Sequence, residues 1–254
     1  MAQIVSLDNP AGRLYAILTD VVNKGESLGM ARSHTSISTV FASALEVDNN
    51  NFEVIIGLGK IFELIDSTRE SIKKLNNIDT DLYLSPLEEL AEAFLKVRLS
   101  DNWVSSDAVG IDKKTLDKLK FCAYTFSREQ GEILLNAGHL NELLSEVRVL
   151  LDKVLDSKLD VDIKRFLVEK LRDIEQVIIN YKFEGPEGIR KVFESTIGGA
   201  VLNANVKEKK ENPLVTNFFT LVMRLAAILN IANTTKQLGP DVSNILSKLL
   251  SGDK

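Results

Sequence analysis

Two histidines and one cysteine are the whole imidazole and thiol inventory of this 254-residue chain. A zinc site takes three or four His, Cys or carboxylate ligands, in spaced pairs such as His-Glu-x-x-His or Cys-x-x-Cys. Neither pattern occurs. Carboxylate-bridged di-metal bundles place Glu-x-x-His on facing helices, but the residue three before His34 is Ala31 and the one three before His139 is Asn136. No metal and no cofactor is expected. Cys122 stands beside Phe121, Ala123 and Phe126. A reactive thiolate needs an electropositive, partly exposed setting, so Cys122 reads as a small core residue. His34 sits among hydroxyl residues and reads as part of a helix start. The Gly-x-Ser-x-Gly elbow of serine hydrolases is absent.

Phosphate chemistry has one fragment to offer, Gly57-Leu58-Gly59-Lys60. The third glycine of a dinucleotide loop would fall at Phe62, and a P-loop ending in Gly59-Lys60 would need glycine where Val54 stands. These glycines are expected to admit a close neighbouring helix instead. The acid pairs Glu88/Glu89/Glu92 and Glu129/Glu132 read as surface charge, because no apolar pocket is evident to raise one of their pKa values. With every local catalytic signature missing, the chain leans away from enzymes.

The composition bounds the class. The net charge is −5, with nine Lys/Arg against 14 Asp/Glu in residues 1–100 and 22 against 22 thereafter. Neither part has the basic excess that a phosphate backbone demands, so no nucleic-acid partner is expected. A single cysteine excludes an internal disulfide. The first residues carry neither a basic segment nor a long apolar one, so no signal peptide is read and a cytoplasmic location is expected.

Five prolines and 14 glycines are few for this length, and no Asn-Gly or Asp-Gly turn occurs. The fold class is all-α, a multi-helix bundle of about nine amphipathic helices joined by short loops. Helix starts are read at Asn9-Pro10, at residues 33–36, at Ser85-Pro86-Leu87-Glu88 as a capping box, at Asp112 and at Asn212-Pro213. A helix from about Phe52 to Leu75 is expected to carry Ile55, Ile56, Phe62, Ile65 and Ile72. Residues 140–155 and 163–181 form an αα-hairpin, after which Gly185-Pro186 turns the chain. A short terminal helix is read from Asp241 to Leu250. Residues 99–112 lack periodicity and mark a boundary between an N-terminal region, 1–110, and a C-terminal bundle, 111–254. One continuous domain is the alternative.

The segment 189–235 is unusual. Residues 195–206 carry no charge, and the helix from Leu214 to about Thr235 holds only Arg224. A helix apolar nearly all round is central in a bundle or lies in a membrane. Arg224 opposes constitutive insertion, since a central arginine costs roughly 2.5–3.5 kcal/mol on insertion scales. Three uses remain: a buried core hairpin, a surface for self-association or a protein partner, or a hairpin released onto membranes after a conformational change. The residues expected to carry an interaction are Ile189, Phe193, Ile197, Phe218, Phe219 and Arg224. The functional expectation is a non-enzymatic scaffold or interaction subunit, as a homo-oligomer or within a complex. A membrane-active effector whose hairpin is released by a trigger is the alternative.

Overall fold

The computed structural model describes residues 7–31, 34–75, 79–131, 135, 137–203 and 211–228. Among them the chain is all-α, with nine α-helices, one short 3-10 turn and a single isolated antiparallel bridge between Ser36 and Asn102. It divides into two compact units, Met1–Glu132 and Ile133–Lys254.

In the first unit, α1 (Pro10–Ala31) is the central element and packs on α2 (Ile37–Leu45), α3 (Asn51–Lys73) and α5 (Lys113–Gln130). It buries Ala11, Leu14, Ile17, Leu18 and Val21. Its start follows the Asn-Pro signal: Asn9 Oδ1 accepts the Gly12 N–H at 2.8 Å. That side chain also reaches α5, where its Nδ2 donates to the Ala123 carbonyl at 3.0 Å and to Ser127 Oγ at 3.1 Å. One buried asparagine therefore both caps a helix and pins it to a partner.

The other caps follow the same chemistry. Ser36 Oγ accepts from Thr39 N, Asn50 Oδ1 from Glu53 N and Asp112 Oδ1 from Thr115 N, at 3.1, 3.0 and 2.6 Å. Helix α4 (Thr80–Lys96) departs from expectation. It begins before the Ser85–Glu88 box, with Asp79 Oδ1 accepting from Leu82 N at 3.4 Å. Pro86 lies inside the helix, where it has no N–H for the Leu82 carbonyl. Its ring is buried, and Ser85 Oγ donates to Glu89 Oε1 rather than capping. Burial of the proline ring accompanies the lost backbone bond.

The aperiodic stretch after α4 lies within the first unit, and the division between units falls beyond α5. The reason is hydrogen-bond supply. The first N–H groups of a helix need external acceptors, and for α2 this stretch provides them: Ile37 N donates to Asp101 O at 2.8 Å and Ser38 N to Leu99 O at 2.9 Å. Trp103 N donates in turn to Thr35 O at 2.7 Å. The Trp103 indole fills the notch over Gly25 of α1, where any Cβ would meet it at 2.1 Å. Helix α5 then buries Leu119, Cys122, Ala123 and Phe126 and packs against α1 and α4.

The second unit contains α6 (Ala137–Leu155), α7 (Val161–Ile179), α8 (Tyr181–Leu202) and α9 (Pro213–Ile228). Helices α6 and α7 form the expected antiparallel hairpin, α8 packs on α7, and α9 lies on α6 and α8. Gly185 adopts φ 60° and ψ −159°, a conformation open to glycine, and breaks α8 ahead of Pro186. Upstream, the Leu135 N–H donates to the Tyr181 hydroxyl at 3.0 Å. The C-terminal helix read over 241–250, and α9 beyond Ile228, lie outside the described residues.

Candidate functional site

The groups with chemical potential are dispersed. Burial pushes the Cys122 thiol up to about 12, so it is a protonated core residue at neutral pH rather than a nucleophile. His34 and His139 are both exposed. No group of three His, Cys, Asp or Glu side chains among the described residues is placed to hold a metal ion.

Five of the six interaction candidates from the sequence are brought together, and they are brought together inward. Ile189, Phe193, Ile197, Phe218 and Phe219 are buried in the core of the second unit, with Leu143, Val147, Leu167 and Leu171 from the α6–α7 hairpin. Phe218 stands edge-on to Phe219 and to Phe166, with ring centroids 5.2 and 6.1 Å apart. Of the three uses expected for 189–235, these five side chains occupy the core one.

Arg224 is the sixth, and it faces outward. Its guanidinium pairs with Glu146 and, at 3.7 Å, with Glu142, both on α6. Asn217, Thr220 and Arg224 of α9, with Ser145, Glu146, Val149 and Lys153 of α6, line an open groove of about 320 Å³. The exposed side of α9 is Thr216, Asn217, Thr220, Arg224 and Ala227. Its lack of charge thus reflects neutral polar residues at the surface, not apolar residues on every side. Among the described residues no helix is long and apolar enough to cross a membrane.

The feature that sequence reasoning missed is on α3. Val54, Ile61, Leu64, Ile65, Thr68 and Ile72 are its buried side. Phe52, Ile55 and Ile56 lie elsewhere, with 70%, 58% and 41% of their surface exposed. The apolar residues expected along this helix thus divide between two faces: Ile65 and Ile72 are buried, whereas Ile55 and Ile56 are exposed. The helix has two apolar faces in its first half, and one helix packs inward along only one of them. The signal was legible: Phe52, Ile55, Ile56 and Gly59 recur at i, i+3, i+4 and i+7, a complete stripe of their own.

The two glycines of α3 divide between these faces. A Cβ at Gly57 would meet Leu45 Cδ1 of α2 at 2.5 Å, whereas one at Gly59 would meet nothing within 4 Å. Gly57 is the close-packing glycine the sequence suggested. Gly59 leaves a shallow, open floor at the end of the exposed stripe. The arrangement leaves an exposed apolar stripe on the outer side of α3.

No protein-family model, no curated protein and no solved structure matches the chain.

Proposed function

We propose that this chain is a non-enzymatic protein-interaction module, acting as a scaffold or subunit of a complex, and that its contact surface is the outer face of α3. The observation supporting this reading is the exposed stripe of Phe52, Ile55 and Ile56 on one helix. Single exposed apolar residues are ordinary, but contiguous ones at helical spacing mark contact sites. Ridges of this form serve recognition by helix-on-helix packing. The hairpin that carried the interaction expectation supplies the interior of the second unit instead.

Site-specific photo-crosslinking tests the reading. A photoreactive residue at Ile56, activated in extract of the source cell, should yield discrete heavier adducts. A probe at the exposed Glu92 of α4 should not. Adducts should vanish when Phe52→Ser and Ile55→Ser are added. No discrete adduct, or smears equal to the Glu92 control, would overturn the proposal.

A further inference from the structure

The surroundings of the α3 stripe carry information about what it contacts. Residues 37–73, from the start of α2 to the end of α3, hold six acids against three basic residues, and two of the acids, Asp66 and Glu70, are paired with Arg69 and Lys73. Asp48 and Glu63 are exposed. Asp48 lies in the turn just before Phe52, and Glu63 stands one helical turn beyond Gly59 on the same face. The apolar stripe is therefore bounded at both ends by carboxylates. From Phe52 to Gly59 it runs about 10 Å, two helical turns.

That length suits the face of one helix rather than a broad interface. The charge distribution argues against a second copy of this chain as the occupant. Antiparallel pairing that seats Phe52 of one copy over the open floor at Gly59 of the other puts Ile55 against Ile56. The same register brings Glu63 of each copy over the segment that leads into α3 of the other, which carries Asp48, like charge near like at both ends. A partner with lysine or arginine in those flanking places turns the repulsion into attraction.

We propose that α3 docks a basic amphipathic helix, with apolar anchors at i, i+3 or i+4 and i+7 and cationic residues flanking them. A bulky anchor of that helix rests on the floor at Gly59, and its flanking cations meet Asp48 and Glu63. The proposal rests on the interaction reading above and adds the chemistry of the partner. The contact is small, so binding is in the micromolar range rather than tighter, on the order of 1–100 μM.

The probe is a pair of synthetic peptides of about 18 residues, long enough to form helix on contact. Both carry leucines at the anchor spacing; one has lysines at the flanks and its twin has glutamates. Binding is followed by amide chemical shifts and fluorescence anisotropy. The lysine peptide should perturb residues 52–63 and bind about tenfold more tightly than its twin. Ile55→Ser with Ile56→Ser should abolish that binding while leaving every charge in place. Asp48→Asn with Glu63→Gln should remove most of the preference. Raising the salt from about 50 to about 500 mM should remove it too.

Equal binding of both peptides at the stripe would overturn the basic-partner inference and leave the interaction reading standing. Perturbations mapping elsewhere would overturn the inference, as would a dimer in light scattering that the two isoleucine changes dissolve. No binding by either peptide, together with no specific crosslinks at Ile56, would remove both proposals.

Discussion

Helices α9 and α3 each carry a run of large apolar side chains, and they place them oppositely. On α9, Val215, Phe218, Phe219, Val222 and Leu225 all point into the second unit, and threonine and asparagine meet the solvent. On α3, Ile61, Leu64 and Ile65 point inward while Phe52, Ile55 and Ile56 point out. The helix poor in charge is well covered, and the helix rich in charge exposes its apolar residues. Charge along a segment is thus a poor guide to which apolar side chains are buried. The angular position of each residue relative to its neighbours decides it.

The largest difference is expected between two phenylalanines, Phe218 of α9 and Phe52 of α3. Phe218→Ala should cost about 3–5 kcal/mol, because it empties a fully enclosed aromatic site. Phe52→Ala should change stability by no more than about 0.5 kcal/mol. Hydrogen exchange of α9 amides reports the first. The fluorescence of Trp103, the single tryptophan and a member of the first unit, reports urea unfolding for the second. A comparable loss for both would mean that the outer face of α3 is packed, and the contrast would fail.

A finer version uses the α3 glycines. Gly57→Ala forces a shift of the buried Leu45 and should destabilise by about 1–3 kcal/mol, less the gain in helix propensity. Gly59→Ala meets open space and should stabilise by about 1 kcal/mol, read as a rise in the urea midpoint. Gains at both positions would show that α2 does not press on α3 as described.

Arg224→Leu sharpens the α9 side. Its pairs with Glu142 and Glu146 are partly exposed, and such pairs contribute up to about 1 kcal/mol. Thermal melts at low and high salt should converge as screening removes the difference. A substantially larger loss would place Arg224 in the core.

The smallest effect is expected from acid. Accepting the Thr115 backbone N–H is the main reason the Asp112 carboxyl is held below its ordinary value. Its contribution is therefore complete above the unfolded-state value, roughly pH 4. It is lost as pH falls through the lower folded value. Asp112→Asn should flatten that part of the Trp103 urea-midpoint profile between about pH 2 and pH 6. An unchanged slope would show that the cap does not titrate with folding.

Much of the fold was legible because helix starts are local events. Asn9, Ser36, Asn50, Asp112 and Asn212 each satisfy amides within three residues of themselves, so short segments announce them. The start of α4 was misread because Ser-Pro-Leu-Glu satisfies the same local rule and Asp79 satisfies it first. Burial of Pro86 accompanies the longer helix. Residues 99–112 look like a linker because the bonds that anchor them, at Leu99, Asp101 and Trp103, run to residues 35–38, far back along the chain.

An all-α protein, most helix starts, the hairpin of α6 and α7, and a buried thiol at Cys122 could all be read from the sequence. All of these follow from periodicity and capping, which act over a few residues. That Trp103 locks its segment over Gly25, that α5 packs with α1, and that the hairpin phenylalanines are core came from long-range packing. It alone decided which of two apolar faces on α3 is filled. A helix with two apolar faces can bury either, and the choice belongs to the helices that pack around it.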